Sequence, residues 1–336
     1  MKVKKVVSLM LLCVLFVFMV LKTQESTECV LTALKLCVNT VIPSLFPFFV
    51  LSGLLVNLGF IALFGKILTP ISKLLFKTSG KGAVVFVIGI ICGYPTGAKV
   101  VADMCREKSL TKEEAERLLA FCNNSGPLFI IGAIGTTMLK NHSLGVALYI
   151  IHLLSAIFVG VLMGIFAKNE KALPVRDICV LNIGTAFAKS IEGAVKSILN
   201  VCGYVVFFSI LCAMAKNVFL ISILEVTTGA KNLIDCGFSE KITFVLLSAI
   251  LGFGGICVLL QVQSEVSKAG LSLRLYVLGK ILQSLISMAI AFLYVNIFDV
   301  APAFAVVNGI NDTSYILYIL FVASALFSLF RLTKKG

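Results

Sequence analysis

The sequence predicts an all-α polytopic membrane protein of about eight transmembrane helices plus two re-entrant hairpins in an inverted repeat. Three observations lead there. Hydrophobic residues make up 59% of the 336-residue chain and charged residues only 13%, against about 45–50% and about 25% in soluble domains. The apolar residues fall in segments close to the ~20 residues that cross a bilayer as a helix. Finally, Thr96-Gly97-Ala98-Lys99 recurs as Thr228-Gly229-Ala230-Lys231. Each copy lies in an apolar stretch too short or too broken to cross, and a longer apolar stretch interrupted by glycine follows it. Broken apolar segments at matching places of two halves point to a transporter's binding site.

The first region, residues 1–30, holds an N-terminal membrane span. Lys2, Lys4 and Lys5 precede an apolar run over 6–21, and Thr23-Gln24-Glu25-Ser26 follows it directly. A secretory leader would end in small residues, so the run reads as an uncleaved first span. The first repeat, 31–168, contains a span at 36–59, a hairpin at 82–105, a broken span at 113–139 and a span at 144–167. The second repeat, 183–297, contains the same series: 197–216, a hairpin at 217–237, a broken span at 241–263, and 279–297. A final span at 313–331 and a basic tail occupy 298–336. Residues 61–78 carry Leu63, Ile67, Ile71 and Leu74 between Lys66, Lys73 and Lys77. Residues 183–196 carry Ala186, Ile191 and Val195 between Lys189 and Lys196. Both read as amphipathic helices on the membrane surface.

Charge sets the orientation. With the N-terminus in the cytoplasm, Lys66, Lys73, Lys77 and Lys81 fall inside, as do Arg106, Lys108, Lys112 and Arg117. Lys168, Lys171, Arg176, Lys189 and Lys196 follow, then Lys268, Arg274 and Lys280, and finally Arg331, Lys334 and Lys335. Only Lys22, Lys35, Lys140, Lys216 and Lys241 fall outside. This satisfies the positive-inside rule. It accounts for the net charge of +13 without nucleic acid, for which no aromatic-interleaved basic patch exists. The partner it implies is the lipid bilayer, with both termini cytoplasmic. The first hairpin then enters from the cytoplasm and the second from outside, so the halves are inverted, as in alternating-access carriers.

Four segments could carry chemistry. In the first hairpin turn, Gly93-Tyr94-Pro95-Thr96-Gly97-Ala98-Lys99, glycine and proline open backbone groups that need partners. A half-helix starting near Thr96 would aim free N–H groups and a positive dipole end at an anion, with Lys99 one turn in. The plainer reading is an ordinary loop. In Asn123-Asn124-Ser125-Gly126-Pro127, Pro127 breaks a helix begun by the capping box of Thr111 and Glu114. Its amides and hydroxyl suit a ligand, or serve as polar glue between helices. The third segment is Glu225-Val226-Thr227-Thr228-Gly229-Ala230-Lys231. A carboxylate at membrane depth needs a compensating partner, so Glu225 is expected to pair with Lys231 or Lys99 or to take up a proton, unless it lies near the outer surface. The fourth, Gly252-Phe253-Gly254-Gly255, allows unwinding or close packing. Most solute recognition is expected on the first half, with the second hairpin acting as a gate.

The 11 cysteines include no CxxC pair, and only His142 and His152 could assist a metal. They read as small core residues, with neither metal nor cofactor expected. No GxSxG, HExxH, P-loop or paired-carboxylate pattern occurs, so an enzyme is not expected.

Four stretches together resemble the YlbJ-type sporulation integral membrane proteins, of the nucleoside-recognition or Gate domain group. They are Ile42-Pro43-Ser44-Leu45-Phe46-Pro47-Phe48-Phe49, Gly93 to Lys99, Leu110-Thr111-Lys112-Glu113-Glu114-Ala115-Glu116-Arg117, and Asn123-Asn124-Ser125-Gly126-Pro127-Leu128-Phe129. The resemblance covers most of residues 30–300. It implies a role in endospore formation, in the mother-cell-derived outer forespore membrane. It also implies distant kinship to concentrative nucleoside transporters, whose substrate sits between two opposed hairpins and two unwound helices. By resemblance the solute is a small anion, dipicolinic acid, moved from mother cell toward forespore. Carried over by residue, the hairpin role falls on Tyr94, Pro95, Thr96, Gly97 and Lys99, and the unwound-helix role on Asn123, Asn124 and Ser125. Glu225, Thr227, Thr228 and Gly229 are the counterparts in the second hairpin. Nucleoside chemistry is not carried over, because the first unwound segment has no acidic residue. Two rivals stay open: a non-transporting scaffold or assembly factor for the spore envelope, and a nucleoside-type solute carrier. A homo-oligomer is compatible with either.

Overall fold

The computed structural model describes residues 2–167, 181–215 and 217–298, so the expected span at 313–331 lies outside the described residues. Every regular element among them is helical, as long apolar segments require where no water can satisfy the backbone. In chain order the helices are α1 (Lys2–Leu21), α2 (Thr23–Leu36), α3 (Ile42–Asn57), α4 (Phe60–Phe76), α5 (Gly80–Cys92), α6 (Thr96–Arg106) and α7 (Lys112–Cys122). A wide π-type helix, Leu128–Met138, leads to α8 (His142–Ile165), α9 (Ile183–Ala215), α10 (Val218–Leu224), α11 (Val226–Asp235), α12 (Glu240–Phe253), α13 (Gly255–Val266) and α14 (Arg274–Ile297). Five stretches are long and apolar enough to cross a membrane: Thr23–Asn57, His142–Ile165, Ile183–Ala215, Glu240–Ala269 and Arg274–Ile297. A sixth would be the bent pair Leu63–Phe76 and Gly80–Cys92, which meet at 87°. Large apolar side chains are exposed along α1, α4, α8 and α14, among them Phe16, Leu74, Phe158 and Phe292. Lipid is the medium that such surfaces suit. The chain is a multi-pass integral membrane protein.

One end of the bundle is tied together by polar bonds. Glu114 accepts the Ser79 N–H at 2.7 Å, Glu116 accepts the Ser272 N–H at 2.8 Å, and Arg117 donates to the Lys77 carbonyl at 3.0 Å. This basic end gathers the starts of α5, α7 and α14. The largest core cluster lies around α5, α6, α7 and α8, where Phe76, Phe86 and Phe121 meet edge to face or tilted. A second cluster, at the opposite end, joins the π-type helix with α8, α11 and α12.

Several expected boundaries are corrected. The span placed at 36–59 begins earlier: α2 and α3 form one 35-residue stretch through a π turn at Cys37–Val41. The polar start of α2 is solvated and self-bonded, with Gln24 donating to Glu28 one turn on. The surface helix expected at 183–196 and the span at 197–216 are one helix, α9. No glycine or proline lies between Ala194 and Ser197, so nothing interrupts it. Within the broken span expected at 113–139, α7 and the helix Leu128–Met138 lie on either side of residues 123–127, so this boundary stands unaltered. On α4, Leu63, Ile67, Ile71 and Leu74 are all exposed.

Candidate functional site

Hairpin 1 consists of α5 and α6 packed back on each other across Gly93-Tyr94-Pro95. Gly93 takes φ 77°, a left-handed value that favours glycine. Thr96 opens α6, as the sequence suggested. A β-carbon at Gly89 or at Gly97 would run into the Cys122 carbonyl oxygen. Two glycines therefore let the hairpin lie directly on the end of α7, where α7 breaks.

At that break Asn123, Asn124 and Ser125 are buried, none more than 1% exposed. Asn123 Oδ1 accepts the Ala98 N–H at 3.4 Å. Asn124 Nδ2 donates to the Phe121 carbonyl at 2.7 Å, and the Ser125 N–H donates to His152 Nε2 at 3.2 Å. Because Nε2 accepts, the neutral imidazole carries its hydrogen on Nδ1. From α14, Gln283 Nε2 donates to Asn124 Oδ1 at 3.0 Å. Lys280 Nζ donates to Gln283 Oε1 at 2.7 Å and to Asn124 Oδ1 at 3.5 Å. Lys280 is 4% exposed, and no carboxylate among the described residues lies in ion-pair reach of it. His152 Nδ1 and Gln261 Oε1 are buried without a hydrogen-bond partner, whereas the Asn123 side chain meets the Tyr276 hydroxyl and Ser125 the Tyr94 hydroxyl. Orphaned polar atoms of this kind are few in native proteins and call for an explanation.

Hairpin 2 consists of α10 and α11, joined at Glu225. Both oxygens of that carboxylate are held, by the Thr227 N–H at 2.9 Å and the Thr228 N–H at 2.7 Å. Glu225 is the N-cap of α11, and the charge suits the positive end of the helix. Gly229 closes the hairpin, since a β-carbon there would collide with Ser222 Cα. The second break is slight: Gly254 alone leaves the helix, and Glu240–Ala269 still runs as one stretch. Gly255 lies against the Leu224 carbonyl and the Val226 N–H, at the tip of hairpin 2.

The two hairpins, the first break and α13 beyond the second break converge on a cavity of about 30 Å³. Tyr94 comes from hairpin 1, Gly126 from the first break, Glu225 and Thr227 from hairpin 2, and Gln261 from α13; Ser44 of α3 completes the polar lining. Toward the basic end, an open vestibule of about 310 Å³ is lined by Thr96, Lys99, Asp103, Lys189, Glu192 and Lys196. A neighbouring recess of about 200 Å³ shares Lys99, Asp103 and Lys196 and adds Arg106, Glu265 and Lys268.

The twelve residues picked from sequence thus separate into three places. Tyr94, Glu225 and Thr227 face the cavity, Asn123, Asn124 and Ser125 form the buried network, and Thr96 and Lys99 face the vestibule. Pro95 and Gly97 shape the first turn, and Thr228 and Gly229 the first turn of α11. The structure refines these expectations. Lys99 does not approach the asparagines, because its amine is bonded to Ser197 Oγ at 3.0 Å and the Gly193 carbonyl at 3.3 Å on α9. Glu225 pairs with neither Lys231 nor Lys99, because its own helix satisfies it. At the start of α6, Asn123 Oδ1 takes one of the N–H groups, that of Ala98. Lys280, counted above among surface charges, is buried in the bundle instead. Sequence reasoning passed over His152, Lys280 and Gln283. The readable signal was a stripe on α14: Lys280, Gln283, Ser284 and Ser287 recur at the three- and four-residue spacing of one helix face.

Fold and site together define a class: an all-helical integral membrane protein whose polar groups converge on two helix interruptions. The comparisons agree with that class. Residues 38–167, which reach from the π turn before α3 through α8, match the Gate family, described as "Nucleoside recognition". The chain is also similar to the "Sporulation integral membrane protein YlbJ" of Bacillus subtilis (strain 168), with 29% identity over 306 residues, 77% of this chain and 75% of that protein. The resemblance drawn from the four motifs therefore holds. No solved structure matches the chain.

Proposed function

We propose that this protein is a sporulation-associated carrier that moves a small anionic solute by alternating access, with dipicolinate as the first candidate. One observation carries the reading: a single cavity is lined by both hairpins and by residues at or beyond both helix breaks. In this account the two hairpins are re-entrant, α5–α6 from the cytoplasmic basic end and α10–α11 from the opposite face. Residues 31–168 and 183–297 are inverted repeats, within a fold of eight spans whose termini are both cytoplasmic. A volume of about 30 Å³ is near that of one water molecule, which fits an occluded state between two openings. The vestibule sets Lys99, Lys189 and Lys196 against Asp103 and Glu192, a small excess of positive charge that favours anions. A flat dicarboxylate matches the excess of donors around residues 123–127.

A nucleoside-type solute is the second reading, favoured by the Gate match over the first half. Uptake of labelled dipicolinate and of labelled nucleosides into proteoliposomes separates the two. Saturable dipicolinate uptake above empty liposomes supports the proposal. Nucleoside uptake alone assigns the protein to the second reading, and uptake of neither favours a scaffold.

A further inference from the structure

The network behind the cavity has a feature that neither hairpin accounts for. Lys280 carries an amine that is 4% exposed in the middle of a helical bundle. Its partners, Gln283 Oε1 and Asn124 Oδ1, are neutral amide oxygens. Around the same break the His152 Nδ1–H is a buried donor with no acceptor, while the Asn123 side chain meets the Tyr276 hydroxyl and Ser125 the Tyr94 hydroxyl. A structural lysine snorkels to water or sits beside a carboxylate, and Lys280 does neither. A polar network built only for packing satisfies its own members, and this one leaves the His152 donor open and gives the Lys280 amine only neutral partners. What both lack is an anionic acceptor.

We infer that Lys280, with His152, forms a carboxylate-binding subsite beside the first helix break. It takes one carboxylate of the transported solute. Ser125 adjoins Gly126, which lines the cavity, so a second, distal part of the solute would remain among Tyr94, Thr227 and Gln261. Gln283 and Asn124 are positioning residues: they hold the Lys280 amine and do not contact the solute. This inference rests on the carrier reading and gives it a residue that discriminates charge.

The test is ligand-induced thermal stabilisation of the purified full-length protein, since a ligand that binds only the folded state raises its stability. The probes are dipicolinate, picolinate, the uncharged diamide of dipicolinate, and uridine. Wild-type protein is expected to be stabilised by dipicolinate and picolinate and not by the diamide. Lys280→Gln, isosteric enough to keep the Asn124 and Gln283 bonds, is expected to unfold at the same or a higher temperature without ligand, and to lose the carboxylate shift. Lys280→Arg is expected to keep part of it. A dipicolinate shift of wild-type size in Lys280→Gln overturns the subsite and leaves the carrier reading intact. A wild-type protein stabilised by uridine and by no carboxylate overturns both the subsite and the anionic solute. If Lys280→Gln fails to fold, wild-type protein stabilised equally by dipicolinate and its diamide also overturns the inference.

Discussion

The two copies of Thr-Gly-Ala-Lys serve the same packing task and opposite polar ones. In both, the glycine is where the hairpin makes a close backbone contact: Gly97 on the broken end of α7, Gly229 on Ser222 of its own hairpin. Everything else differs. The first helix start is capped from outside, by Asn123 of the broken helix. The second is capped from within, by Glu225. Lys99 is fastened to α9, whereas Lys231 is exposed. The first break spans five residues and hosts a buried network; the second is one glycine. Hairpin 1 is thus bonded into the buried polar network, and hairpin 2 caps its own helix and rests on Gly255. That asymmetry is the ground for proposing solute recognition in the first half and movement in the second.

The largest expected effect comes from the shared glycine. Gly97→Ala should destabilise the protein by about 1–3 kcal/mol or more, as overpacking against backbone does, and should lower its yield in membranes. Gly229→Ala should do the same for hairpin 2. Gly203→Ala, where nothing lies within 4 Å of an added β-carbon, should leave the unfolding temperature of the detergent-solubilised protein unchanged. Equal tolerance at Gly97 and Gly203 would remove the packing half of the comparison.

A smaller effect separates the two caps. Glu225→Ala should cost about 1 kcal/mol, as loss of an N-cap does, with Glu225→Asp recovering much of it. Asn123→Ala removes the Ala98 acceptor and should cost a similar amount, but should also abolish dipicolinate uptake, which Glu225→Asp should not. Uptake that survives Asn123→Ala would move recognition away from the first half.

The smallest effect concerns the paired lysines. Lys99→Ala should raise the apparent KM for dipicolinate by about tenfold or less, with the difference shrinking at high salt, as expected of a charge that steers an anion. Lys231→Ala should change neither. Equal effects of the two substitutions in the same uptake assay would make the hairpins interchangeable.

Much of this was legible in the amino-acid order because breaks advertise themselves. Pro127 and the glycines at 254 and 255 cannot continue a regular helix in comfort, so both interruptions and the start at Thr96 follow from local chemistry. The partners of Lys99, Glu225 and Lys280 were not legible, because each is chosen by packing between distant segments. Lys280 lies six residues from Arg274 and reads as one more basic residue at a helix end. Only the docking of α14 beside α7 and α8 turns it inward. The continuity of α9 was missed for the opposite reason: an amphipathic start and an apolar finish look like two elements when no breaker marks the absence of a boundary.

The central claim is that the solute passes through the cavity between the hairpins. Val205 of α9 lines that cavity from outside both hairpins and both breaks, and an indole there fills about 30 Å³ several times over. The decisive measurement is dipicolinate uptake into proteoliposomes containing wild-type protein or Val205→Trp, each checked for a monodisperse, folded elution profile. The account predicts saturable uptake by the wild type and none above empty liposomes for folded Val205→Trp. Uptake at the wild-type rate through the plugged cavity would contradict it.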